Sequence, residues 1–126
     1  MHKIISTDKA PKAIGPYNQA IEINSTLYLS GQIPINPAKG QIDQSDITGQ
    51  TEQVLRNIGH ILEAAGCTYS DVVKTTVYLS DLANFKAMNE IYSKYFHTDP
   101  PARSTVQVSG LPLGSLVEIE SVAVKK

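Results

Sequence analysis

Val54, Leu55, Ile58, Ile61, Leu62 and Ala65 recur at offsets of zero, one, four, seven, eight and eleven residues. That spacing gathers all six on one side of a helix and on neither face of a strand. A helix so one-sided must bury its stripe against a broad apolar surface. Asp46 is placed to cap its start, and Gly66 to take the left-handed position just past its end. A second helix is expected after Asp81, another capping residue. Its apolar face would carry Leu82, Phe85, Met88, Tyr92, Tyr95 and Phe96, with Pro100 just beyond its end.

The surface for these helices comes from β-prone runs. Thr26 to Ser30 is short and bounded by Asn24-Ser25 and Gly31. Asn18 to Ile23 precedes it closely enough for a hairpin turning on Asn24-Ser25. In Val72 to Leu79, alternation sends Val73, Thr75, Val77 and Leu79 to one side and Val72, Lys74, Thr76 and Tyr78 to the other. Arg103 to Val108, Leu116 to Val124 and a short opening strand at Lys3 to Ile5 complete the set, and Asn36 to Gly40 reads as a surface loop. The order predicts an α+β fold with one sheet and both helices on one of its faces. The other face then has no cover, and a second copy of the chain is the expected lid.

With 126 residues, the chain is expected to form one domain over 1–126. Charged residues make up 18%, below the usual ~25%, as expected of a surface partly hidden in an assembly. A net charge of −1 leaves no basic excess to neutralise phosphates, so nucleic acid is not an expected partner. The one cysteine, Cys67, cannot form an internal disulfide. Met1 to Ile5 lacks a signal-peptide apolar run, and no stretch approaches a membrane span; a reducing, cytoplasmic setting is expected.

Nucleotide-binding glycine motifs and the GxSxG nucleophile elbow are absent. His2, His60 and His97 have no metal-ligand spacing and read as solvated histidines, and Cys67 as a small half-buried hydrophobe. Arg103 follows Pro100-Pro101-Ala102 and shares a strand face with Thr105 and Gln107. A guanidinium at a strand mouth is a fork for a carboxylate, although it also suits an ordinary salt bridge. Glu118 and Glu120, two apart, point to one strand face: solvated at an edge, or half-buried and in need of a partner or a raised pKa. Asn89 interrupts the apolar face of the second helix and must find hydrogen bonds there. Tyr17 sits on a turn, as a pocket wall or a packing residue.

Taken together, these residues resemble the RidA/YjgF family, also called the L-PSP endoribonuclease family, along essentially the whole chain. The matching pieces are Ala10 to Tyr17, Ser30 to Pro34, Ala64-Ala65-Gly66 with Val72 to Val77 and Asp81-Leu82, and Pro101 to Ser104 with Leu111 and Val117 to Ile119. The resemblance implies a chorismate-mutase-like α+β fold, a barrel-like homotrimer with sheets packed inward, and clefts between subunits. It also implies hydrolysis of 2-iminobutanoate and 2-iminopropanoate to 2-keto acids, with no cofactor and no metal. By position, Arg103 would bind the substrate carboxylate, helped by the Gly31 backbone. Ser30 and Asn89 would line the cleft and Tyr17 would close it. The Thr105 backbone and Glu118 would hold the attacking water. Thr105 stands where relatives often carry cysteine. Two other functions remain open on the same resemblance: a non-catalytic metabolite-binding regulator, and a ribonuclease or translation inhibitor.

Overall fold

The computed structural model describes residues 2–126. The chain opens with β1 (Lys3–Ile5), β2 (Ala20–Ile23), β3 (Thr26–Gln32) and a two-stranded ribbon, β4 (Ile35–Asn36) and β5 (Gln41–Ile42). Helix α1 (Ile47–Ala64) follows, then β6 (Val72–Leu79), α2 (Phe85–Tyr95), β7 (Ala102–Gln107) and β8 (Val117–Val124). Six strands form one sheet in the order β1-β2-β3-β8-β6-β7. Only β6 and β7 run parallel, so the sheet is mixed. The ribbon β4–β5 is a separate hairpin whose tip is the expected surface loop.

Local chemistry explains the boundaries. Asn24 and Ser25 both have positive φ, 50° and 63°, the conformation of a two-residue turn that matches the twist of β2 and β3. The Asp46 carboxylate accepts from the Gly49 amide at 2.8 Å and caps α1. Gly66, at φ +80°, ends it where a side chain would be strained. Val54, Leu55, Ile58, Ile61 and Leu62 are then fully buried against Leu27, Val77, Leu79 and Ile119 of the sheet.

The structure corrects the sequence expectations at two places. Val72 is buried and Val73 exposed, the reverse of strict alternation. Val72 pairs with Ala123 and Lys74 with Val122, so two steps on β6 oppose one on β8. Val73 is the extra residue of a bulge, which flips the phase of the strand's first residue. The second helix also starts late. Asp81 caps a short 3-10 turn over Leu82–Asn84, accepting from the Ala83 amide, and α2 begins only at Phe85. Leu82 and Phe85 therefore stay outside the core and partly exposed, and Ile91 joins Met88, Tyr92 and Phe96 within it.

Both helices lie on one sheet face. Register places Ile4, Ile21, Tyr28, Val122 and Lys74 in a row across the other, with Glu120-Thr76-Ser104 and Glu118-Tyr78-Val106 beside it. Ile4, Tyr28, Val106 and Val124 on this face stay open to solvent.

The α1 stripe carries the core. Truncating Ile58 to alanine removes three buried carbons, and loss of about 2–5 kcal/mol is expected. Urea denaturation at fixed protein concentration should show a lower midpoint with an unchanged slope.

Candidate functional site

Two cavities divide the seven residues singled out from the sequence. Tyr17, Ser30, Gly31 and Glu118 line one; Asn89 and Arg103 line the other; Thr105 lines neither. The sheet is the reason. Arg103 pairs with Thr75, and Thr75 with Ser121, in a row facing the helices; Thr105, two residues on, faces the same way. Glu118 pairs with Tyr78 on the opposite, uncovered face.

The first cavity has a volume of about 550 Å³ and is built around a break in strand pairing. Leu29 opposes Ser121 but Gln32 opposes Ile119, so β3 carries an extra residue at Ser30-Gly31. Ser30 is anchored there, its hydroxyl donating to the Asn18 carbonyl at 2.6 Å and its amide to the Gln19 carbonyl at 2.9 Å. A Cβ on residue 31 would overlap the Glu118 carboxylate, so glycine is what lets that carboxylate lie over the bulge. Burial, reinforced by the like charge of Glu120, pushes the Glu118 carboxyl above its ordinary value of 4.5. Glu120 itself accepts from the Tyr78 hydroxyl at 3.2 Å.

Loops form the remaining walls. Tyr17, 49% exposed, follows Gly15 at φ +113°, and its hydroxyl accepts from the Ile14 amide at 3.2 Å. Leu113 belongs to a 3-10 turn, Pro112–Gly114, and holds φ 57°, ψ 24°. A left-handed leucine costs about 1–2 kcal/mol, and strain of this kind concentrates at functional sites.

Three buried amides hold these walls, and none was singled out from the sequence. Gln19, 5% exposed, accepts from the Thr7 amide at 2.7 Å and donates to the Thr7, Ala10 and Pro11 carbonyls, fixing the segment that leads to Tyr17. Asn57 on α1 donates to the Ile35 carbonyl at 2.9 Å. Gln50 accepts from the Leu116 amide and donates to the Gln44 carbonyl. Gln50 and Asn57 fall within the apolar stripe of α1, the same kind of signal that marked Asn89.

The second cavity is organised by Arg103. Its Nη1 donates to the Asn89 side-chain oxygen at 2.7 Å. The guanidinium lies 4.8 Å from the Tyr92 ring centre and 5.5 Å from that of Phe85. The Tyr92 hydroxyl is in turn bonded to Thr75 at 2.6 Å, and burial raises its pKa, so the ring is a neutral platform. No acidic side chain pairs with Arg103 among the described residues. The Thr105 hydroxyl is buried with no hydrogen-bond partner there. No group of three or more metal-ligating His, Cys, Asp or Glu side chains occurs among the described residues, and no helix there is long and apolar enough to cross a membrane.

A cation presented on aromatic faces and a half-buried carboxylate with a raised pKa are parts suited to binding and hydrolysing a small anionic electrophile. Comparison with known proteins agrees with this chemistry. Residues 7–125 match the family described as Endoribonuclease L-PSP. The mouse protein named 2-iminobutanoate/2-iminopropanoate deaminase is 50% identical over 125 residues, 99% of this chain and 93% of its own. The Arabidopsis thaliana protein named Reactive Intermediate Deaminase A, chloroplastic, is 53% identical over 121 residues; the match spans 96% of this chain and 65% of that longer one. A crystal structure of a conserved Rid-family protein from Yersinia pestis superposes with a TM-score of 0.97 at 52% identity, covering 99% of this chain and 100% of that one. The chain belongs to the RidA, or endoribonuclease L-PSP, family.

Because the fold raises the Glu118 pKa, the native state binds a proton more readily than the unfolded chain does. Stability at this residue is therefore full below the ordinary value of 4.5 and falls as pH rises through the folded pKa. Glu118→Gln should melt above the native sequence at pH 7, with the gap closing at pH values well below 4.5. Thermal scans across pH check this; an unchanged gap at low pH would show that ionisation is not the cause.

Proposed function

We propose that this chain hydrolyses 2-imino acids to 2-keto acids and ammonia, at sites completed between copies of a homotrimer. The observation that carries the proposal is Arg103: oriented by Asn89, backed by two rings, and paired with no acidic group among the described residues. Such a guanidinium is free to take a substrate carboxylate through two parallel N–H bonds. The mouse relative is named for 2-iminobutanoate and 2-iminopropanoate, each of which carries a carboxylate that such a contact would hold.

Within one copy, Arg103 and Glu118 face opposite sides of the sheet. One copy then supplies Arg103, Asn89 and the Thr105 backbone, and its neighbour supplies Tyr17, Ser30, Gly31 and Glu118. Strand β7, which carries Arg103, is at the sheet edge, and the open face beside Glu118 exposes apolar side chains, which favours contact between copies there. The Thr105 carbonyl and the Glu118 carboxylate hold a water. Glu118 accepts its proton as the new C–O bond forms at the imine carbon, and the C=N electrons go to nitrogen. That proton then passes to nitrogen; as the C–N bond breaks, Glu118 takes the hydroxyl proton, the O–H electrons close the keto group, and the released ammonia carries the proton away as ammonium. A raised pKa suits a carboxyl that must take up and return a proton. Orientation supplies most of the acceleration, because a protonated imine is already electrophilic.

A purely sensing role would use Arg103 but would leave the strained and half-buried groups around Glu118 without a task. A nucleolytic role has less support: the net charge is −1, and no histidine lines either cavity. A cytoplasmic setting is proposed for this chain; the Arabidopsis relative is named as chloroplastic.

Light scattering should give a mass near three times 13.7 kDa. With 2-iminobutanoate generated in situ by a threonine dehydratase, the chain should speed keto-acid release. Truncating one partner of a desolvated charge pair costs roughly 2–5 kcal/mol, so Arg103→Ala should lower kcat/KM by about thirty-fold to several-thousand-fold with the trimer intact. Arg103→Lys should recover little. Near-full activity in a folded Arg103→Ala trimer would overturn the assignment. Thr105→Ala should keep most activity, since its hydroxyl has no hydrogen-bond partner among the described residues and the proposed role uses only its carbonyl.

A further inference from the structure

Glu118 shares the first cavity with a group of apolar side chains, two of them large and held out in the open. Leu113 is 72% exposed and Ile14 is 80% exposed, and both line the cavity together with Ile33, Ile35 and Pro112. Neither is left there by accident of a loose loop. Leu113 occupies a left-handed conformation that glycine or asparagine adopts with less strain, between Pro112 and a Gly114 that is itself at φ +66°. The turn is closed by the Ser115 amide and hydroxyl, both donating to the Pro112 carbonyl at 3.1 and 3.0 Å. Ile14 is placed by the bond from its amide to the Tyr17 hydroxyl. Ile33 and Ile35 are fixed from behind by Asn57, whose amide reaches both carbonyls.

The geometry points to Leu113 and Ile14 as specificity-determining residues that receive the side chain of the imino acid and select aliphatic chains longer than a methyl group. The inference rests on the deaminase reading. With the carboxylate on Arg103 and the imine carbon beside Glu118, the substituent has the apolar wall as its neighbour. The part of this cavity that a single copy contributes has a volume of about 550 Å³ before a neighbour closes it. Each methylene transferred from water to such a wall is worth about fourfold in binding, and more in a tight pocket.

The test uses imines generated in situ from alanine and from leucine by an L-amino-acid oxidase with catalase, with keto-acid release corrected for the uncatalysed rate. The native protein should favour the leucine-derived imine by about tenfold or more in kcat/KM. Leu113→Gly, which suits the left-handed backbone, should cut that ratio by about fivefold, and Leu113→Asn should do the same while keeping a side chain. Ile14→Ala, on a different loop, should move the ratio in the same direction. A native ratio near one, or a ratio unchanged in all three variants with trimer mass retained, would overturn the inference and leave the deaminase reading standing. A native protein inert on both imines would overturn both.

Discussion

Strand β8 lies between β3 and β6, and its strict alternation partitions the molecule. Val117, Ile119, Ser121 and Ala123 are buried under the helices, while Glu118 and Glu120 point to the uncovered face. A slip of one residue would drive both carboxylates under α1 and expose the centre of the core. Register is therefore enforced by the apolar half of the strand, and the polar half inherits its position. The carboxylate of the proposed site is placed by residues that never touch it.

The same partition sets the electrostatics. Glu118 is desolvated by its own sheet and by the loops over Gly31, and its nearest charged neighbour on the strand has the same sign. Arg103 is handled in the opposite way: it is held by one amide oxygen and two ring faces, which orient it without neutralising it. A carboxylate partner would have fixed it more tightly and left nothing for a ligand to gain. The two charges that would attract each other are kept on opposite faces of a sheet, and only another copy can bring an Arg103 to a Glu118.

The helices and strands were legible because they are written in short-range pattern. Offsets of three and four placed α1, and alternation placed β6 and β8. What stayed hidden depends on information that alternation does not carry. At Val72-Val73 two identical residues leave the phase ambiguous, and only pairing with Ala123 and Val122 reveals the bulge. Gln19 gave no signal because the carbonyls it donates to are eight to twelve residues away, and any sequence has carbonyls there. Leu113 reads as an ordinary apolar residue until its φ is known. Of the candidate site, the sequence offered residue types but no sign of their partition between two cavities. That Arg103 faces the helices and Glu118 the open side follows only from the order in which the strands pair.

The buried amides give this arrangement its rigidity. Asn57 and Gln50 are on the helix that carries the core stripe, yet their hydrogen bonds go to Ile35, which starts β4, and to Leu116, on the loop before β8. Buried amides satisfied by backbone in this way are expensive to disturb, since each freed carbonyl or amide would be left unpaired in a dry interior. Burial of α1 against the sheet thus fixes both segments as a direct consequence of folding. The strain at Leu113 is held between the Ser115 bonds that close its turn and Leu116, three residues on, which is clamped by Gln50 of the core helix. Stability in one layer of the fold is what keeps an unfavourable backbone geometry in place at the mouth of the other.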